Sequence, residues 1–250
     1  MRIVVAFVCA LTCSACMQET VRLQIKPSQQ AITRNGQPAL VSEKKNSLVM
    51  IRPAVSKIGS GERPVFVVGV HNLTKQPLGF RVRDIAVTQV AGGSTLPMKV
   101  YSYEDLVAEE RTAQVMTALL VGAAIGANTA LASQASYRTK TTTVYGPSGS
   151  YSYETATYSP SRAAAAHNRA MRLNVRMVDA AIKEGQANLA ALEREVIRDN
   201  TLMPGEWYGG LLHIAPPANA GSGAGPKRYS IALTVGPDRH EIDVVQESVK

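Results

Sequence analysis

Apolar and polar residues alternate along two stretches near the end of the chain. Apolar residues recur at every second position over residues 229–235 and again over 240–244, with the sequence Gly-Pro-Asp-Arg between them at 236–239. This period of two predicts two antiparallel strands joined in a hairpin. Residues 64–72 are apolar at almost every position, which is typical of a central strand that is covered on both faces.

Further strand patterns are separated by turn-forming residues, and they occur at 47–53, 80–89 and 206–214. In one of them the apolar phase slips at residues 83–84, which predicts a bulge. Seven or eight short strands with this spacing predict an antiparallel β-sandwich of immunoglobulin-like type. We expect residues 47–102 and 201–250 to form it together. The predicted fold class is mainly β with an α insertion.

Residues 103–200, between these two parts, have the composition and periodicity of helices. Residues 113–136 contain no charged residue, and a helix of about 24 residues reaches about 36 Å, enough to cross a hydrocarbon core. Small residues recur there at every fourth position and favour close approach of a second helix, as in membrane GxxxG pairs. The predicted helix-packing interface is Ala118, Gly122, Gly126 and Ala130.

Two properties of this segment favour an alternative to membrane insertion. It is rich in alanine rather than leucine, and it contains the polar residues Gln114, Asn128 and Gln134. These properties are typical of a helix that is buried in protein. In that alternative the helix packs against the second helix of the same insertion.

The second helix is predicted to begin at Ser159 and Pro160, which suit an N-cap and a first turn, and to end near Asn200. Its apolar residues step by three and four over nearly four heptads, which indicates a coiled-coil seam. The seam consists of Met171, Val175, Val178, Ile182, Leu189, Leu192 and Val196. We expect the first helix to lie on this seam, and an intermolecular coiled coil is the alternative.

The segment between the two helices is rich in tyrosine, threonine and serine. Residues 141–145 and 151–158 flank a Gly-Pro turn, which predicts a β-hairpin. The insertion is therefore expected to be helix, β-hairpin, helix. Its tyrosines suit an adaptable contact surface, and the alternative is a solvated or disordered loop.

The formal net charge of the chain is +8, which permits an anionic partner. The basic residues are dispersed, however, and no dense basic run is interleaved with aromatic residues, so we expect no nucleic-acid partner. The sequence has no Gly-x-Ser-x-Gly elbow, Walker loop or His-Glu-x-x-His zinc helix, and its four histidines are scattered. We therefore expect no catalysis, no metal and no cofactor.

The first residues of the chain have the pattern of a secretory signal. Arg2 supplies a positive charge, and residues 3–11 form an apolar segment too short to span a bilayer. All three cysteines of the chain, Cys9, Cys13 and Cys16, lie in or just after this segment. A mature chain that begins at Cys16 would hold one thiol and no internal disulfide.

The sequence Cys-Ser-Ala-Cys at 13–16 resembles the lipobox of bacterial lipoproteins, in which small residues precede the cysteine that receives the lipid. Cys13 departs from it, since the family usually has leucine there. The resemblance implies a signal peptide over 1–15 and acyl chains on Cys16, the predicted lipid-attachment residue. Several acyl chains give stable anchoring. Met17 in place of Asp after the cysteine implies the outer membrane, and a plain secreted protein is the alternative.

On this basis residues 16–46 are expected to be the lipidated N-terminus and a tether, in which Val21–Ile25 is a candidate edge strand. The β domain resembles small β-sandwich lipoproteins of the cell envelope in general character only. This resemblance implies a structural or interaction role on the periplasmic face or the surface of the outer membrane. The expected partner is an envelope protein or a second copy of the chain. The alternative is a membrane-inserting or oligomerising component of an envelope assembly, such as a secretion or conjugation system.

Overall fold

The computed structural model describes residues 18–34, 36–91, 93–147, 149–218 and 225–249. The chain divides into two compact units. One, here called the β unit, comprises Met1–Glu104 and Glu195–Lys250, and the other, the helical unit, comprises Asp105–Arg194. The predicted signal peptide and Cys16 lie outside the described residues, so the lipoprotein assignment stays a prediction.

The elements follow one another along the chain in three groups. The first strands are β1 (Gln18–Gln24), β2 (Gln29–Arg34), β3 (Gln37–Glu43), β4 (Ser47–Pro53), β5 (Lys57–Gly59), β6 (Val65–Asn72), β7 (Leu78–Phe80), β8 (Ala86–Ala91), β9 (Ser94–Met98) and β10 (Val100–Tyr101). Next come α1 (Tyr103–Ala135), β11 (Tyr137–Gly146), β12 (Gly149–Tyr158) and α2 (Pro160–Glu195). The last strands are β13 (Asn200–Leu202), β14 (Trp207–Ile214), β15 (Lys227–Val235) and β16 (Asp238–Ser248).

The β unit consists of two antiparallel sheets. One has the order β13-β7-β15-β16-β1-β5, with β8 also pairing with β15 and with β9, and the other has the order β10-β14-β6-β4-β3-β2. A single hydrophobic core contains side chains from both sheets, among them Phe66, Leu212, Phe80, Ile231 and Ile242. The prediction of a mainly antiparallel β protein with a helical insertion is confirmed at this level.

Local patterns explain the strands. The predicted hairpin is β15–β16, in which Val235 pairs with Asp238 across a turn where Gly236 has φ of +54°. In the predicted central strand β6 one face is fully buried and the other is half-buried. The slip at residues 83–84 is not a bulge: the chain leaves the sheet for one 3₁₀ turn, Val82–Asp84. Asp199 holds this turn by accepting a hydrogen bond from the backbone N–H of Val82 at 2.8 Å.

The predicted tether over residues 16–46 is wrong from residue 18 onwards, except that the candidate strand at Val21–Ile25 falls largely in a strand, which is not at the edge of its sheet. Three strands, β1 to β3, lie there, and β1 is hydrogen bonded to β16 on one side and to β5 on the other. The polar residues of this segment are engaged in the fold: the Gln29 amide donates to the carbonyl of Glu241 at 2.7 Å. Polar composition therefore does not indicate a tether here: Glu19, Gln29 and Ser42 are buried, and other polar side chains lie on the exposed faces of the strands.

Candidate functional site

The two long helices of the helical unit pack antiparallel to each other. The Gln114 side chain donates to the backbone carbonyl of Gly185 at 3.1 Å, and Asn128 donates to Asn174 at 2.9 Å. About one turn from the Gln114 contact, Asn188 donates to Glu110 at 3.2 Å. These contacts fix the register of α1 against α2.

The face that joins the helices is made of small and polar residues. Ala132 and Ala170 are buried there, and so is Gly185, where an added Cβ would lie 2.8 Å from the Gln114 side chain. Small residues leave room for amide side chains between the helices, and these half-buried amides make hydrogen bonds because an unpaired polar group away from water is costly.

The rest of α1 is apolar and exposed. By length and composition α1 is capable of crossing a membrane, yet only 6% of its most apolar 18-residue stretch is buried. Its large exposed side chains are Val115, Met116, Leu119, Leu120 and Leu131, at 56–70% exposure. A helix that is apolar all round is normally covered by protein or by lipid, and within the described residues this one is covered only along its contact with α2.

The predicted stripe and the predicted seam do not pack on each other. All four residues of the stripe are exposed, and an added Cβ at Gly122 or Gly126 would meet nothing within 4 Å. The seam from Met171 to Ile182 is also exposed. The expected pairing is therefore wrong within this chain: α1 contacts an alanine-rich face of α2 that lies about 90° around the helix from the seam.

The stripe and the seam nevertheless share one side of the helical pair. Ala118 from the stripe lines the same groove as Ile182 and Leu189 from the seam. Leu192 lines a second groove at the end of the pair, while Val196 lies in the β unit and pairs with Leu211. The two sequence signals therefore point to one apolar surface of the helical unit.

The predicted β-hairpin between the helices is confirmed, and it begins earlier than predicted, at Tyr137. It forms a two-stranded sheet, and among the described residues no other strand pairs with either edge. Its described side chains are exposed except for Thr142, which is half-buried. The tyrosines in it are Tyr137, Tyr145, Tyr151, Tyr153 and Tyr158.

The β unit holds a buried cluster with the residue types of a hydrolase site. Ser47 Oγ lies 2.9 Å from His240 Nε2 and donates to Asp238 at 2.9 Å. His240 Nδ1 lies 3.0 Å from Ser42 Oγ. In a catalytic triad the carboxylate accepts a hydrogen bond from the histidine, whereas here Asp238 accepts a hydrogen bond from the Ser47 hydroxyl. Ser47 and His240 are 0% exposed, so the geometry of this cluster fits a structural role.

The His240 cluster makes stability depend on pH. Burial, with a smaller opposing effect of Asp238, lowers the pKa of His240 from 6.5 to about 4. As the pH falls below 6.5 the unfolded chain binds a proton that the folded chain does not bind until about pH 4. We predict that the free energy of unfolding falls by about 3 kcal/mol across this window, measured by urea denaturation. His240→Gln should remove this loss, and His71→Gln should retain it.

A second buried polar cluster lies beside the first described residues. The Glu19 carboxylate is 3% exposed and accepts two hydrogen bonds from Lys227 Nζ, at 2.8 and 2.9 Å. It also accepts from Ser60 at 2.7 Å and from the Gln246 amide. Burial alone would raise the pKa of Glu19, but these hydrogen bonds outweigh it and the pKa is lowered.

Among the described residues no group of three or more His, Cys, Asp or Glu side chains could hold a metal ion. Comparison of the chain with models of protein families, with curated proteins and with solved structures finds no match. We take the exposed apolar surface of the helical unit as the candidate functional site, because the large apolar side chains of α1 are exposed.

Proposed function

We propose that this protein is a lipid-anchored protein of the bacterial outer membrane with an interaction role and no catalysis, and that its helical unit enters the bilayer. Cys16 carries the lipid in this proposal, and the β unit is of immunoglobulin-like type. The observation that carries the proposal is α1, which is uncharged over residues 113–136 and has only 6% of its most apolar stretch buried.

The length of this segment supports insertion. About 24 helical residues reach about 36 Å, against a hydrocarbon thickness of about 30 Å. Arg111 and Arg138 stand just outside its two ends, where long basic side chains reach the headgroups. In a helix that packs only against protein, charged residues would be tolerated on any exposed face and not only at the two ends of the segment.

The contact between the helices also supports insertion. Large apolar side chains point away from the contact, whereas Gln114, Asn128 and Asn174 make hydrogen bonds inside it. Membrane helices pair in this way, through small residues and interhelical hydrogen bonds, because lipid already satisfies their apolar surface. A water-soluble coiled coil has the opposite arrangement, with its large apolar residues in one narrow seam.

The test compares the wild type with Cys16→Ser, expressed in the native type of envelope. Intact mass reports the acyl chains and, in the Cys16→Ser protein, the removal of residues 1–15, because an uncleaved leader would also hold this protein in the membrane. Partition into a detergent phase reports membrane attachment. We expect added acyl mass on the wild type only, and we expect the Cys16→Ser protein to remain in the membrane through its helical unit. A wild type without acyl mass would contradict the lipid anchor, and a fully soluble Cys16→Ser protein would contradict insertion of α1.

A further inference from the structure

This inference rests on the proposed function and concerns the second helix. The hydrogen bonds from Gln114 to Gly185 and from Asn128 to Asn174 set α2 alongside the middle of α1. If α1 crosses the bilayer, the part of α2 between these two contacts lies inside the hydrocarbon layer too. A membrane position for α1 therefore decides the environment of α2.

That part of α2 is charged. It contains Glu184, which is exposed and lines a groove with Ala118 of α1. It also contains Arg176, Asp179 and Lys183, and these three side chains are exposed as well. At about 100° per residue they fall, with Arg169 and Arg172, in an arc about 80° wide. The centre of this arc lies on the side of α2 opposite its contact with α1. The helical pair therefore has an apolar back on α1 and a charged back on α2.

A charged face at this depth needs water. A charged side chain near the bilayer centre costs about 2.5–3.5 kcal/mol on insertion scales, so such residues face a water-filled cavity or the interior of a bundle. One helical pair cannot keep lipid away from the charged back of α2, because α1 covers only the opposite side. Several copies arranged around a common axis can do so.

The sides of the helical pair suit contacts between copies. Ile182 and Leu173 lie about 180° apart around α2. Ile182 lines a groove with Ala118 of α1, and Leu173 lines a different groove with Leu131. Each pair thus has two unlike sides that flank its charged back, and both sides are mainly apolar, with Glu184 in one groove and Arg169 in the other. Contact between unlike sides of successive copies generates a ring when the rotation from one copy to the next closes.

We propose that several copies of this chain form a membrane-spanning ring in which α1 faces the lipid and the charged face of α2 lines a water-filled lumen. The lumen carries four basic residues and one acidic residue per copy: Arg169, Arg172, Arg176, Lys183 and Asp179. Rings of basic side chains favour anions. The pore conducts small anions in preference to cations.

The experiment measures ion conductance of the full-length, detergent-purified protein in planar bilayers under a salt gradient. We expect a wild-type permeability ratio that favours chloride over potassium. Arg172→Glu with Arg176→Glu replaces two basic residues of the lumen by acidic ones, so the ratio should reverse to favour potassium. Lys45→Glu with Lys75→Glu makes the same change in charge at exposed positions of the β unit and should leave the preference for chloride.

A second readout does not depend on conductance. The described residues contain no cysteine, so a single cysteine can be placed at Arg176 or at Leu119 and located by peptide mass. In liposomes a charged, water-soluble thiol reagent should label Arg176→Cys and leave Leu119→Cys unlabelled. Lys45→Glu with Lys75→Glu, added to either cysteine variant, should leave its labelling unchanged.

The outcomes separate this inference from the proposed function. If the Cys16→Ser protein stays in the membrane but conducts no ions and leaves Arg176→Cys unlabelled, the lumen is overturned and insertion stands. If the protein conducts but charge reversal at Arg172 and Arg176 leaves the selectivity unchanged, α2 does not line the lumen. If the Cys16→Ser protein is soluble, insertion fails and the lumen fails with it.

Discussion

The Cys16→Ser protein is expected to leave the membrane when Ala123 and Ala127 of α1 are both replaced by lysine. These residues are exposed on the back of α1 and lie within three positions of the middle of its uncharged segment. Each lysine near the bilayer centre costs about 2.5–3.5 kcal/mol, so the pair costs about 5–7 kcal/mol. In water the same change is nearly neutral, since lysine is a good helix former and the positions are open.

The measurement is the fraction of protein that remains in membranes after alkaline washing, in the Cys16→Ser background. The control places lysines at Ala165 and Ala187, exposed alanines of α2 that the register of the helices sets beside the two ends of the uncharged segment. The control should stay in the membrane, because lysines at the ends of the segment reach the headgroups and water. Equal retention of both double variants would show that α1 does not lie in lipid.

The helical unit shows what an apolar pattern can and cannot predict. The existence of both helices and of the hairpin between them could be predicted from residue type and spacing. The face of α2 that contacts α1 could not be predicted in this way. The seam from Met171 to Ile182 is the most apolar side of α2, and the patterns of water-soluble proteins predict that the most apolar side is buried, whereas here it is exposed. The signal that marks the true contact is the recurrence of small and amide residues, from Ala170 through Asn174 to Gly185.

The β unit shows a different limit. Strands with clear alternation, such as β15 and β16, followed directly from the sequence. The strands before residue 44 did not, because their burial depends on polar partners far along the chain: Glu19 is held by Lys227, and Gln29 by the backbone of Glu241. No local pattern contains that information. The same holds for His240, whose serine partners come from β3 and β4.

The Glu19 cluster leads to the second large effect. Glu19→Gln keeps the shape of the side chain but leaves Lys227, whose side chain is 11% exposed, as a buried charge without its counter-ion. Breaking one partner of a buried ion pair costs about 3–5 kcal/mol. We therefore expect Glu19→Gln to lower the free energy of unfolding of the β unit by about 3–5 kcal/mol, measured by urea denaturation of the full-length Cys16→Ser protein in detergent.

Two further variants decide the cause of that loss. Glu247→Gln removes the ion pair between Glu247 of β16 and Arg22 of β1, where the side chains are 42% and 68% exposed. Such a pair contributes at most about 1 kcal/mol. Glu19→Met with Lys227→Met removes both buried charges and should recover most of the stability lost in Glu19→Gln. If the double variant is as unstable as Glu19→Gln, the loss comes from the Ser60 and Gln246 hydrogen bonds and not from the unpaired lysine. In that case β1, which begins two residues after Cys16, is stabilised by the hydrogen bonds that the Glu19 carboxylate accepts from Ser60 and Gln246.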